Sequence, residues 1–179
     1  MKTIESERLI LREWSLSDVD DMYEYAANSL VGPNAGWKPH KDKEVSKTII
    51  EMFIQSKEVY AIVLKTTGKV IGGIGLHKRT PDLILVDLNQ REIGYVLNPA
   101  YWGRGLIPEA VNTLIEFGFK ELKLDLIWCG HYKENLKSKR VNEKCGFNYQ
   151  FKRVEEIKLL GEEREVHYYN IMRSNYSRC

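Results

Sequence analysis

The stretch from Glu92 to Phe147 constrains the fold more than any other part of the chain. Glu92-Ile93-Gly94-Tyr95-Val96-Leu97 is short, apolar and rich in β-branched and aromatic residues, the composition of a strand. Asn98-Pro99 marks a turn after it. Beyond the turn, Ile107, Val111, Leu114, Ile115, Gly118 and Leu122 recur at three- and four-residue spacing and predict an amphipathic helix. Pro108 suits the first helical turn, where a missing N–H costs nothing, and Glu109 suits the positive end of the helix dipole. Between strand and helix lies Trp102-Gly103-Arg104-Gly105. Two glycines let the backbone turn tightly and approach a ligand, and the helix start offers unpaired N–H groups. That combination is an anion site suited to a phosphate or diphosphate, with Arg104 as an added bidentate cation. A glycine-rich turn with no ligand has the same sequence.

A chain of 179 residues is one domain by default, here 1–179, and is long enough to bury a core. Its 27 basic and 25 acidic residues leave a net charge of +2, too balanced to argue for nucleic acid as a partner. Cys129, Cys145 and Cys179 are odd in number and show no CxxC pair, so neither a disulfide framework nor a metal site is expected. Without an apolar leader or a membrane-length apolar run, the expectation is a cytoplasmic protein with no membrane partner.

In chain order, Arg8–Trp14 reads as a first strand. Ser17-Asp18 reads as the cap of a helix carrying Val19, Met22, Tyr23 and Ala26. Gly32–His40, with two prolines and two glycines, reads as a loop, and a second helix presents Val45, Ile49, Met52 and Phe53 on one face. Val59–Leu64 and Val70–His77 form a hairpin about Thr67-Gly68. Thr80–Asn89 is a connection in which Leu83–Val86 has the composition to extend a strand. After the central unit come a strand at Asp125–Cys129, a helix at Leu136–Cys145, and closing strands at Phe147–Ile157 and Glu165–Met172. The order βααβββαβαββ predicts an α+β fold, a largely antiparallel mixed sheet with helices on its faces.

Gly103-Arg104-Gly105 together with Asn135-Leu136-Lys137-Ser138 and Glu143-Lys144-Cys145-Gly146-Phe147 resembles the GNAT superfamily of acyl-CoA-dependent N-acetyltransferases. Glu7–Arg12, Glu92–Tyr95 and Tyr101–Gly105 resemble the branch that acetylates N-terminal alanines of ribosomal proteins. The resemblance implies acetyl-CoA as cosubstrate, with its diphosphate on the backbone amides of Gly103, Arg104, Gly105, Leu106 and Ile107. It implies that the pantetheine arm lies along Tyr95, Val96 and Leu97, where that strand splays from the next one. An N–H near Val96 or Leu97 would then face the thioester oxygen. Asn135 would contact the arm as well as cap its helix, and Lys139, among the cations of that helix, would meet the 3′-phosphate. Trp102 and Ile107 depart from the residues most common at their positions. Members of the family are often homodimers.

An amine attacks a thioester only when unprotonated, which a lysine at about 10.4 resists more than an α-amino group near ~8. The resemblance gives the base role to Glu92, otherwise an ordinary strand-end carboxylate. Many members protonate the leaving thiolate with a tyrosine seven residues beyond the asparagine, but Asn142 stands there. The ribosomal branch implies Ser138 in that role. His77, His131 and His167 form no ligand spacing and read as satisfied or exposed residues. Trp37 and His40, in the loop that borders the acceptor in this fold, are candidate substrate contacts. The amine could equally be a polyamine or an aminoglycoside if the acidic residues Asp18, Asp20, Asp21 and Glu24 line the cleft. A coenzyme A-binding domain without catalysis is the rival from another class.

Overall fold

The computed structural model describes residues 1–176, so Cys179 lies outside the described residues. The strands are β1 (Ile4–Glu5), β2 (Leu9–Arg12), β3 (Val59–Leu64), β4 (Val70–His77), β5 (Gln90–Leu97), β6 (Leu126–Tyr132), β7 (Asn148–Ile157) and β8 (Glu162–Met172). The helices are α1 (Val19–Ala26), α2 (Gly32–Ala35), α3 (Lys43–Ser56), α4 (Leu106–Lys120) and α5 (Leu136–Lys144). One eight-stranded sheet runs β1-β2-β3-β4-β5-β6-β8-β7. Every neighbouring pair is antiparallel except β5 and β6, which are parallel across the α4 crossover. The expected α+β architecture is the one observed.

Both sheet faces are covered, which explains why β3 and β4 read as continuous apolar runs rather than alternating ones. On one face Ala110, Val111, Leu114 and Ile115 of α4 pack on Leu9, Ile62, Ile93 and Ile127. On the other, Met22, Tyr25 and Ile50 from α1 and α3 pack on Ala61, Val63 and Val70. A third cluster centres on Trp128, whose indole N–H donates to Gln90 Oε1 at 2.7 Å in the interior.

Several boundaries differ from expectation for local reasons. Leu83–Leu85 is a single 3-10 turn, not a strand, because the Asp82 carboxylate accepts from Ile84 N–H and the turn leaves Leu83 and Ile84 exposed. Gly32–Ala35 winds into one helical turn. Met52 is exposed; the buried face of α3 runs through Ser46 and Ile50. α4 ends at Lys120, which leaves Leu122 outside it and exposed. Ser15, not Ser17, caps the turn before α1 in a capping box with Asp18.

Asp18 is buried and takes both guanidinium nitrogens of Arg12 at 2.8 Å. Arg12→Ala leaves that carboxylate with only the Ser15 N–H. The expected loss is roughly 1.5–3 kcal/mol, the range for hydrogen bonds to charged groups. Urea unfolding of the two proteins checks it.

Candidate active site

α4 starts without a side-chain cap. Its N-cap is Gly105 at φ +75°, and Gly103 sits at φ +77°, both in the left-handed region that glycine enters without strain. The first-turn amides therefore point outward into a cavity of about 640 Å³. The acid of this turn is turned away from the cavity: Glu109 accepts from Ser6 Oγ, Arg8 N–H and Arg8 Nε, each at 2.7 Å. Those contacts clamp the helix start to the β1–β2 turn. Burial pushes the Glu109 carboxyl up, but these bonds outweigh it and hold the group below its usual range.

The opposite wall is α5. Asn135 caps it, accepting from Ser138 N–H at 3.1 Å, and Asn135, Ser138, Lys137, Arg140 and Lys144 all face the cavity. Lys137 reaches across to the Trp102 ring, 3.6 Å from its centroid, and the Trp102 indole N–H donates to Leu97 O. An uncapped helix start facing three cations fits a polyphosphate. Two expected contacts do not reach this space. The Arg104 side chain folds back to Ala100 O and onto the Tyr101 ring. Lys139 lies off the wall and pairs with Glu143 at 3.8 Å.

β5 and β6 pair only from Gln90–Leu126 to Ile93–Cys129. Past that point β6 continues against β8, while Gly94–Leu97 stays paired with β4 alone. The strands have parted, and one backbone edge of Gly94–Leu97 is free to take an extended ligand as an added strand.

A second cavity of about 350 Å³ opens on the other side of β5, and Ala35, Tyr95 and Val96 line both. Trp37 and His40 are in its wall, their rings 5.0 Å apart, with His40 Nδ1 2.8 Å from Ser46 Oγ. Tyr95 spans the junction; its hydroxyl is buried with Ser138 as its polar neighbour, and burial pushes the phenol well above its usual range.

Glu92 lines neither cavity. It is buried beside Gly130, with Oε2 3.4 Å from Arg79 Nη1. Burial pushes its carboxyl up, and Arg79 opposes that. Asn142, expected to be unable to act as an acid, is fully buried on α5. His77, read from sequence as an isolated histidine, lies in the wall of the second cavity. Among the described residues no group of three or more His, Cys, Asp or Glu is placed to hold a metal ion, and no helix is long and apolar enough to cross a membrane.

Residues 8–148 match the family described as "Acetyltransferase (GNAT) domain". The chain is 28% identical to an uncharacterized N-acetyltransferase, p20, of Bacillus licheniformis, over 99% of each chain. Its fold superposes with a TM-score of 0.84 on a GNAT-family acetyltransferase of Bacillus anthracis, 26% identical, covering 97% of this chain and 99% of the other. The ribosomal-protein-S5-alanine acetyltransferase of Vibrio fischeri shares the fold at a TM-score of 0.74 and 20% identity, covering 99% and 100%. The glycine turn, the uncapped helix and the parted strands thus occur in a chain that belongs to the GNAT family of N-acetyltransferases.

Proposed function

We propose that this single domain transfers the acetyl group of acetyl-CoA directly to a primary amine in a ternary complex. The observation that carries the proposal is the meeting of the two cavities at Ala35, Tyr95 and Val96, beside the parted strands. When bound, acetyl-CoA supplies the activated acyl group as a thioester. The amides of Gly103 to Ile107 hold the diphosphate, and Lys137, Arg140 and Lys144 face the remaining phosphate charge. The free edge of Tyr95–Leu97 aligns the arm, and an N–H at Val96 or Leu97 stabilises the oxygen as charge develops on it. Ser138, on the cavity wall, donates toward the departing sulfur. Glu92, the base implied by the resemblance, lines neither cavity, so as the base it would have to reach the amine through a bridging water.

The acceptor class follows from the second cavity. Met22, Trp37, Ile49 and Phe53 are among its walls, and among the described residues no Asp or Glu lines it. The acids of the α1 region are engaged elsewhere: Asp18 with Arg12, Asp20 with Lys43, and Asp21 and Glu24 with Lys69. Apart from Glu58, which faces His77, a polycation would find no counter-charge at the described lining. An α-amino group carried on a small apolar residue fits, the acceptor of a protein N-terminal acetyltransferase acting in the cytoplasm.

Thiol release from acetyl-CoA over a panel of peptides and amines tests this. Turnover with peptides bearing N-terminal alanine or serine, and little with spermidine, is expected. Acetyl-CoA binding without turnover on any amine would leave a sensor domain instead. In the same assay Glu92→Gln should lower kcat about tenfold, by removing a charge from the base's surroundings or from a water-bridged base, with acetyl-CoA affinity kept. Unchanged kinetics would retire Glu92 from either role.

A further inference from the structure

We infer that His77, oriented by Glu58, is the general base that takes the proton of the attacking amine. The assignment rests on the acyl transfer proposed above and names the group that performs its proton step. His77 closes β4, opposite Glu92 in the β4–β5 register. Its ring does not stand off the strand end but folds back over Gly75 and Gly94, which are themselves register partners. A β-carbon at Gly75 would fall 2.8 Å from His77 Nε2, and one at Gly94 would fall 3.3 Å from it. Any side chain at Gly75 would therefore displace the imidazole. The paired glycines form a bed that holds the ring in the wall of the second cavity, where β5 leaves β6.

The two ring nitrogens face different surroundings. Nδ1 lies 3.7 Å from Glu58 Oε2, which favours the tautomer with its proton on Nδ1. Nε2 lies over the glycine bed, and the residue lines the cavity. The charged and titratable groups around the ring are Glu58, Arg79, Glu92 across the register, and Tyr25, His40 and Tyr95 in the lining of the same cavity. Burial pushes the imidazole below its ordinary 6.5, against the pull of Glu58, so it is neutral and able to accept a proton at pH 7. Of the acid–base groups in this wall, His40 is held by Ser46 and Tyr95 is a phenol with a raised pKa.

The step balances without another reactant. The amine nitrogen bonds to the acyl carbon, and the proton it sheds passes to His77 Nε2. The carbon–sulfur bond breaks, and the thiolate takes up a proton to leave as the thiol. That proton is the one His77 accepted, passed on through Ser138 or solvent, so both side chains end as they began. Glu58 acts through His77 and is a positioning residue.

The experiment is the pH dependence of kcat at saturating amine for the wild type, His77→Gln and Glu92→Gln, with acetyl-CoA affinity measured by calorimetry and folding by thermal melts. The wild type should lose activity as pH falls through a pKa below 6.5. His77→Gln should lower kcat about 100-fold at pH 7, within the range for general bases, and lose that acid limb with acetyl-CoA affinity unchanged. Imidazole should restore part of the activity of His77→Ala, a response that a packing role alone would not give. Full activity in His77→Gln, or loss of the acid limb in Glu92→Gln instead, overturns the assignment while leaving the acyl transfer standing. A wild type inactive on every amine overturns both.

Discussion

Gly105→Val is expected to weaken acetyl-CoA binding by about 100-fold or more while the protein stays folded. The cause is the backbone and not a clash. A β-carbon at Gly105 would meet only the flexible Arg8 guanidinium, at 3.7 Å, but φ of +75° is a conformation that a β-branched residue adopts only under strain. Valine would pull residue 105 toward negative φ and turn the first amides of α4 away from the cavity. Losing two charge-assisted hydrogen bonds, at about 1.5–3 kcal/mol each, corresponds to 100-fold or more in Kd. The core face of α4, through Ala110, Leu114 and Ile115, is untouched, so the melting curve should remain cooperative. Calorimetric titration with acetyl-CoA reads the effect directly. Wild-type affinity in a folded Gly105→Val would mean that these amides do not hold the diphosphate.

Trp128→Ala should produce the largest loss of stability of the substitutions considered. Trp128 is fully buried opposite Glu92, in the short stretch where β5 and β6 pair, and its ring meets Phe151 and Tyr168 edge to face. Truncation leaves a cavity and removes the donor to Gln90 Oε1. Large aromatic truncations cost about 3–5 kcal/mol, which for a chain of this length lowers Tm by about 10 °C. Trp128→Phe should cost less, since the ring contacts survive and only the indole hydrogen bond goes. A Trp128→Ala protein that melts with the wild type would mean that the third cluster does not hold the two strands together below their parting point.

The architecture was legible where periodicity and turn chemistry agreed. Ile107 to Gly118 carried the helix, the glycines flanking Arg104 carried the turn, and both are observed. Leu83–Val86 misled because an apolar run does not reveal that Asp82 will close a turn beneath it. Side-chain direction was the harder problem. The spacing of Lys137, Lys139 and Arg140 does not by itself tell which cations face a cavity: the wall takes Lys137, Arg140 and Lys144 and leaves Lys139 to Glu143. Arg104 looked like an anion ligand by position, yet its guanidinium finds a nearer carbonyl at Ala100. A single histidine carries no spacing, so the sequence does not mark His77. Its signal was Gly75 on its own strand, whose register with Gly94 only the folded sheet supplies. Glu92 matched a family position, but sequence cannot show that its carboxylate lies toward Gly130 and Arg79.

The most direct test is a crystal structure with coenzyme A. The account predicts its diphosphate against the amides of residues 103–107 and its pantetheine arm between Gly94–Leu97 and Gly130–Tyr132, with the sulfur at the junction beside Tyr95. A diphosphate bound away from the start of α4, or an arm that bypasses the gap between β5 and β6, would contradict it.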